Sequence, residues 1–571
     1  MESGHKNGVQ PSAAPQPRQR WVVWTLLFIL LLALVTDLIF YTGYYASDDR
    51  QYLRGAQQLA ESGRMTYLSL GTIRIGFVLP LALVARVTGQ SLFLMAASIA
   101  LYHLLVIAGT FWVGRLIHGL ETGLLAAGII AVCPLAVLFA TMIVPDHAVT
   151  GLSLVAAGCL LAGRMRLTGG ACGERSAGAL CALGGFLFGL ACAAKEIAVI
   201  LFPVFLLVIA SCFRSAPRRA VLRSALLLAL GVGVAAFMAW AVFYATTGLH
   251  SPLQSPTVAS RVGGVPERVP AKPYNSFSGR LERLAGFATI RGRLGFPTLA
   301  CLLAVVGYPL VHGRSRGLYL TLLWLCVYMT WGTFSLTRYR PPPMQIRYFI
   351  FALPVLTIML AFVVVVAARW LWRRLGGSRV GRGSLMAAAA LGCLLAVAAC
   401  YLMLNRLAGK SYYAAEVAGT RYALDFAMGS TDRPVVMSYW LSNRMLPLLR
   451  GSRWSEVTTT QRGTSLAGFA DRLQRGFLYL DCESERTPRR RQPQVSSPLD
   501  TAVQNALAER DDRLKVRTIG SFGQFETRLA ALRQMRGKSH PQATATVAGR
   551  RVFVREVVAA QPQAGLPGAD P

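Results

Sequence analysis

The stretch RQRWVVWTLLFILLLALVTDLIFYTGYYASDDRQYLRG, residues 18–55, decides the fold class. Trp21 to Tyr45 is almost wholly apolar, longer than the roughly 20 residues that cross a bilayer as a helix and longer than the apolar core of a cleaved signal peptide. Arg18 and Arg20 precede it, and Asp48 and Asp49 follow. The segment therefore reads as a retained signal anchor with its basic flank in the cytoplasm.

The rest of the chain continues the pattern. Of 571 residues, 54% are hydrophobic and 15% charged, against about 25% charged in soluble proteins. The 59 Lys+Arg exceed the 26 Asp+Glu by 33, an excess that membrane proteins place in cytoplasmic loops and against lipid headgroups. No nucleic-acid partner is inferred from it. Ten of the eleven cysteines, all except Cys482, lie in or beside apolar segments, and no CxxC occurs. They read as small buried residues rather than as a disulfide framework or zinc site. Abundant alanine and arginine in place of lysine suggest GC-rich coding and a bacterial inner (plasma) membrane.

Apolar runs predict eleven spans: Trp21 to Tyr45, Leu92 to Leu116, Glu121 to Val144, His147 to Met165, Ala177 to Ala194, Ile197 to Phe213, Val221 to Thr246, Leu294 to His312, Gly317 to Ser335, Tyr348 to Ala368 and Ser384 to Leu404. Ile75 to Val87 is apolar but too short, and reads as an interfacial or re-entrant helix. Loop charge supports that choice. It leaves the short loops around Arg115, Arg164, Arg214, Arg314 and Arg369 on the side of the N-terminus, as the positive-inside rule requires. The expected organisation is a cytoplasmic, disordered 1–20; a transmembrane catalytic domain over 21–404 with outer loops 46–91 and 248–293; an extracytoplasmic α/β domain over 405–558; and a disordered tail, 559–571. In the α/β domain RPVVMSYWL and RGFLYLD read as strands, and Ala502 to Glu509 and Phe525 to Met535 as helices.

On this topology four sets of polar residues reach the outer face. Asp48 and Asp49 follow the first span, and Asp146 follows the third. Lys195 and Glu196 interrupt an apolar run between the fifth and sixth. Arg338, Arg340 and Arg347 lie in a basic turn before Tyr348. Each has a plain reading: an acid at a helix start caps it, a turn needs polar residues, and arginines bind any anionic headgroup. Together they supply carboxylates to accept a proton and cations to receive a departing phosphate. Asp37 lies within the first span and either faces water near its outer end or has a role. His103 reads as a satisfied core histidine, His118 as loop-facing, and His147 as a neighbour able to assist Asp146.

The chain resembles the GT-C superfamily of polytopic glycosyltransferases, in particular the bacterial group with the lipid A aminoarabinose transferase and relatives of protein O-mannosyltransferases. The resemblance rests on Asp48-Asp49-x-x-Tyr52 after the first span, Arg74 before an apolar segment ending in VTGQS, GFLFGLACAAKE and RYFIFALPVL, and covers most of Trp21 to Leu404. It implies sugar transfer from a polyprenyl-phosphate donor to an extracytoplasmic lipid, polysaccharide or protein acceptor, with inversion. Asp48 would be the general base, beside Asp49 and Tyr52. Asp146 would help position metal or acceptor, and Lys195-Glu196 and Arg347-Tyr348 match the family's Lys-Glu and Arg-Tyr pairs. By their chemistry Arg74, Lys195, Arg338, Arg340 and Arg347 are the candidates to hold the donor phosphate, with His147, Glu196 and Tyr348 in support. It leaves room for a divalent cation between Asp48 and Asp146, for which ligand spacing offers no signature. Where the aminoarabinose transferase pattern has Glu-Lys-Pro-Pro, this chain has Ile73-Arg74-Ile75-Gly76, so the exact substrate does not carry over. A transporter or flippase of lipid-linked glycans is the alternative, although it calls for half-repeats and polar residues at mid-membrane. A scaffold serving the C-terminal domain would not need eleven spans.

Overall fold

Among the described residues, helices form where the apolar runs are long, because a backbone in lipid has to satisfy its own hydrogen bonds. The computed structural model describes residues 17–44, 48–168, 174–256, 316–331 and 346–375 of the membrane region, and 433–438, 457–459, 476–483, 514–522 and 551–559 of the C-terminal region. A few short pieces (258–259, 306–308, 398, 420, 423–429, 441 and 503) complete the described residues. The helices are α1 (Pro17–Ile39), α2 (Asp49–Ser62), α3 (Ile75–Val87), α4 (Leu92–His118), α5 (Leu120–Val132), α6 (Pro134–Ala140), α7 (Asp146–Thr168), α8 (Glu174–Ala194), α9 (Phe202–Ala210), α10 (Arg218–Thr247), α11 (Arg316–Trp331) and α12 (Leu353–Leu375).

Among the described residues seven helical runs are long and apolar enough to cross a membrane: α1, α4, α7, α8, Glu196–Phe213, α10 and α12. The α5–α6 pair makes an eighth if it is one broken span. The protein is a multi-pass, α-helical membrane protein. The expected span at Gly317 to Ser335 corresponds to α11, which has 16 residues. The expected spans at Ser384 to Leu404, except for residue 398, and at Leu294 to His312, except for residues 306–308, lie outside the described residues, as does most of the loop 248–293.

Two expected spans differ in shape from plain helices. The third bends by 61° between α5 and α6. Pro134 has no N–H to donate and forces Cys133 into extended backbone (φ −65°, ψ 120°). The sixth opens with a 3-10 turn, Glu196–Leu201, because Lys195 is extended (φ −165°, ψ 128°) and breaks the helix that precedes it. The short helix α3 is as expected: 13 residues, with Ile75, Phe77, Val78, Leu81, Ala82 and Ala85 buried.

In sequence order α4, α7, α8 and α10 form a packed row, and α5 and α12 join on the α4 side. The α8–α10 contact is very close. A Cβ on Gly185 would lie 2.1 Å from the Leu228 carbonyl oxygen, and one on Gly231 2.1 Å from that of Ala182. Only glycine permits this approach of two backbones.

The C-terminal region contains a five-stranded mixed sheet of β1 (Val435–Met437), β2 (Thr458–Thr459), β3 (Phe477–Glu483), β4 (Leu514–Phe522) and β5 (Arg551–Ala559), in the order β2-β1-β3-β5-β4. β1 runs parallel to β2 and β3, while β5 is antiparallel to β3 and β4. Phe477, Leu478, Tyr479 and Leu480 are all buried, as expected for a central strand covered on both faces. β1 and β3 are the strands read from the sequence; β4 and β5 are additional. The expected helix Phe525 to Met535 is outside the described residues, as is all of Ala502 to Glu509 except Val503.

Candidate functional site

The two segments that carry Asp48 and Asp146 are stitched together ahead of both residues. Beyond Ile39 the chain leaves the helix, and Gly43 pairs with Met142 in a parallel bridge. The Thr42 amide donates to Thr141 Oγ1 (2.7 Å) and the Thr42 hydroxyl to the Leu138 carbonyl (2.8 Å). Gly43 has φ +66° with the Tyr41 ring folded over it, 2.5 Å from where a Cβ would sit, so a side chain there would be both strained and obstructed.

Asp48 opens α2 but does not cap it: its side chain makes no capping hydrogen bond and its backbone is already helical (φ −67°, ψ −28°). Instead Asp48 Oδ2 accepts from Arg347 Nη2 at 2.5 Å. Asp49 is buried in the first turn of α2, where its Oδ1 accepts from the Arg50 amide, the favourable place for an acid at a helix N-terminus.

Two glycines seat Arg74. The Gly71 amide donates to Gln51 Oε1 (3.2 Å), which holds the turn after residue 69 against α2. A Cβ on Gly76 would meet the Ala194 nitrogen at 2.7 Å, so the start of α3 lies directly on the end of α8. Arg74 consequently grips Glu196 with two hydrogen bonds, Nη2 to Oε1 at 2.5 Å and Nε to Oε2 at 3.0 Å, and its Nη1 donates to the Tyr52 hydroxyl. Asp146, the first residue of α7, accepts from Lys195 Nζ at 2.6 Å through Oδ1. Lys195 Nζ lies 4.6 Å from the centre of the Tyr348 ring, and the Arg347 guanidinium carbon 5.5 Å from it.

Eight of the residues singled out in the sequence thus form one cluster: Asp48, Tyr52, Arg74, Asp146, Lys195, Glu196, Arg347 and Tyr348. Arg338 and Arg340 lie outside the described residues. Beside Tyr348 an apolar cleft opens, lined by Ile197, Leu201, Leu325, Tyr328 and Phe351 among others.

No protein-family model and no curated protein matches the chain. Among solved structures it is similar to ArnT, the lipid A aminoarabinose transferase, from Cupriavidus metallidurans in the apo state, at 13% identity and a TM-score of 0.54, over 94% of this chain and 98% of that one. The chain has the GT-C fold. It is also similar to the apo oligosaccharyltransferase of Archaeoglobus fulgidus, at 12% identity and a TM-score of 0.50 over 90% of this chain and 75% of that one. The chain spans 64% of a further match, archaeal oligosaccharyltransferase AglB from Archaeoglobus fulgidus, at a TM-score of 0.47.

Within this GT-C bundle the cluster's charges balance, three carboxylates against three cations. Burial pulls the Lys195 ammonium down to about 8; Asp146 opposes that shift, and the Arg74 and Arg347 guanidiniums add to it. For Arg74 burial works against the charge, but Tyr52 and Glu196 outweigh it. Arg347 is likewise held charged against its burial by Asp146 and Asp48. Burial pushes the hydroxyls of Tyr52 and Tyr348 above their ordinary range.

Among the described residues the cluster presents no convergent set of oxygen ligands for a divalent cation. Such a cation wants several oxygen ligands converging at about 2 to 2.6 Å, whereas Asp48 and Asp146 each already face a cationic side chain. Among the described residues no group of three or more His, Cys, Asp or Glu is placed to hold a metal.

His103 is buried in the core as expected, whereas two other histidines and Asp37 stand elsewhere than expected. Asp37 does not face water: it is fully buried and accepts from His103 Nδ1 at 2.8 Å. His147 pairs with Ala136, donating from Nε2 to its carbonyl at 2.8 Å. His118 is packed rather than loop-facing, with Nε2 2.8 Å from the Tyr308 hydroxyl and its ring stacked on Phe362. Sequence reading passed over Gly71, Gly76 and Gln51, whose roles depend on contacts between distant segments. Gly76, two residues after Arg74, was the available hint of close backbone approach.

Proposed function

We propose that this chain is an integral-membrane glycosyltransferase that moves a sugar from a polyprenyl-phosphate donor to an extracytoplasmic lipid, glycan or protein acceptor. The observation that carries the proposal is the cluster itself, three cations matched to three carboxylates beside an apolar cleft. A polyprenyl chain needs apolar surface, and its phosphate needs cations that develop no new cost as negative charge accumulates. That the structural neighbours ArnT and oligosaccharyltransferase are GT-C glycosyltransferases supports the same reading.

The roles divide by exposure. The Asp48 side chain is 45% exposed and open to an acceptor, whereas that of Asp146 is wholly buried. Asp48 is accordingly the general base, and Asp146 acts through Lys195. The acceptor oxygen attacks the anomeric carbon and its proton passes to Asp48. The bond from that carbon to the phosphate oxygen breaks on the opposite side, and the electron pair leaves with the phosphate toward Lys195, Arg74 and Arg347. Because Arg347 serves both Asp48 and the incoming phosphate, donor binding draws on the contact that quiets the base.

Transfer from polyprenyl-phosphate sugars by the purified chain tests the proposal. Asp48→Asn keeps size and polarity but cannot accept the proton, so transfer falls by about 10² to 10⁴ while folding and donor binding persist. Near-normal transfer by Asp48→Asn rejects Asp48 as the base. Lipid translocation by a parent protein that transfers nothing favours the flippase.

A further inference from the structure

Asp37, His103 and His147 are each fully buried in the bundle, and the chemistry above uses none of them. Ionisable groups inside a membrane domain are costly and are retained for a purpose. They come from three helices, α1, α4 and α7, and they touch in series. The Asp37 carboxylate accepts from His103 Nδ1 at 2.8 Å, and the His103 ring lies 4.9 Å from the His147 ring at a 34° tilt. His147 Nε2 then donates to the Ala136 carbonyl on α6, which fixes that tautomer because a carbonyl can only accept. Asp37 Oδ1, His103 Nε2 and His147 Nδ1 have no hydrogen-bond partner among the described residues.

The far end of this series sits in the first turn of α7. His147 follows Asp146 directly, and the turn is closed by the Val149 amide on the Pro145 carbonyl (2.9 Å) and the Thr150 hydroxyl on the Asp146 carbonyl (2.8 Å). A rotation of this turn would carry Asp146 away from Lys195, whose Nζ it holds at 2.6 Å. α1 exposes Trp24, Phe28 and Leu31 on its outer surface and packs on α4, α5 and α6 through apolar side chains such as Leu26, Ile29 and Leu30. Asp37 is thus the polar anchor of α1 and the first link to α7.

We infer that Asp37, His103 and His147 are positioning residues that fix the first turn of α7, and with it the Asp146 carboxylate that holds Lys195 in the donor-phosphate site. This deepens the glycosyltransferase reading and rests on it for the word donor. The relay touches no substrate.

Two pairs of variants test it. Asp37→Leu removes the acceptor for His103, whereas Asp37→Asn retains one. His147→Leu removes the donor to Ala136, whereas His147→Gln keeps an amide N–H at the same reach. Hydrogen exchange of amides 149–152 in detergent should quicken by about fivefold or more in the two leucine variants and stay within about twofold of the parent in Asp37→Asn and His147→Gln. Binding of a polyprenyl monophosphate should weaken by about five- to tenfold in the leucine variants and recover in the other two. Unchanged exchange in Asp37→Leu and His147→Leu overturns the inference, as does equal loosening by all four. If exchange behaves as expected while the parent binds no polyprenyl monophosphate, the relay stands and the donor-site reading falls.

Discussion

Replacing Lys195 with methionine leaves the Asp146 carboxylate buried without its nearest cation. The pair spans 2.6 Å, with side chains 4% and 0% exposed, so solvent screens little of the loss. Breaking a buried ion pair by removing one partner costs about 3–5 kcal/mol, because the remaining charge is uncompensated. Arg347 and Arg74 remain within electrostatic reach of Asp146, which places Lys195→Met near the lower end, about 3 kcal/mol. Adding Asp146→Leu removes the stranded charge and fills the space with apolar atoms, so the double variant should return to within about 1 kcal/mol of the parent. The two substitutions should therefore couple by about 2 kcal/mol or more. Denaturant titration in mixed micelles, followed by tryptophan fluorescence, measures the cycle, and a transfer assay should find the double variant stable but inactive. A double variant as unstable as the sum of its singles would refute the ion pair and the role assigned to Lys195.

The Lys195 ammonium, brought down to about 8 from an ordinary 10.5, is charged below that pH and neutral above it. Donor KM should therefore be flat at lower pH and rise by up to about tenfold per unit above pH 8, since binding of the phosphate takes up one proton; a KM constant to pH 9.5 would remove Lys195 from the phosphate site. Arg347→Ala should weaken donor use by about 1.5–3 kcal/mol, the worth of a hydrogen bond to a charged group, and an unchanged KM and kcat would place the phosphate elsewhere. Reporter fusions after Arg374 and after Thr464 should fall on opposite sides of the membrane, cytoplasmic and extracytoplasmic in that order. Finding both on one side would overturn the proposed topology.

The membrane class, most of the spans and the short α3 were legible in the sequence because each depends on local composition and length alone. Trp21 to Tyr45 needs no partner to be recognised as a span, and Ile75 to Val87 is too short wherever it packs. The site residues were legible as chemistry in the same way: Asp48, Arg74, Asp146, Lys195, Glu196 and Arg347 break an apolar background. What each one touches was not. Whether Asp48 caps α2 or meets Arg347, 299 residues away, is settled by the seam between Gly43 and Met142 and by the packing that seats the Arg347 turn. Arg74 finds Glu196 across 122 residues only because Gly76 lets two backbones meet. Pro134 lies inside the third expected span, which reads as a plain helix, and the bend it makes depends on what the freed groups pack against. β4 and β5 were missed because LKVRTIGSF and RVFVREVVA become strands by pairing with each other and with β3. The sequence by itself determined the apolar helices and the kinds of reactive group; the tertiary structure alone decided the pairings, including Asp37 with His103, because contacts between distant segments are set by close packing and not by local composition.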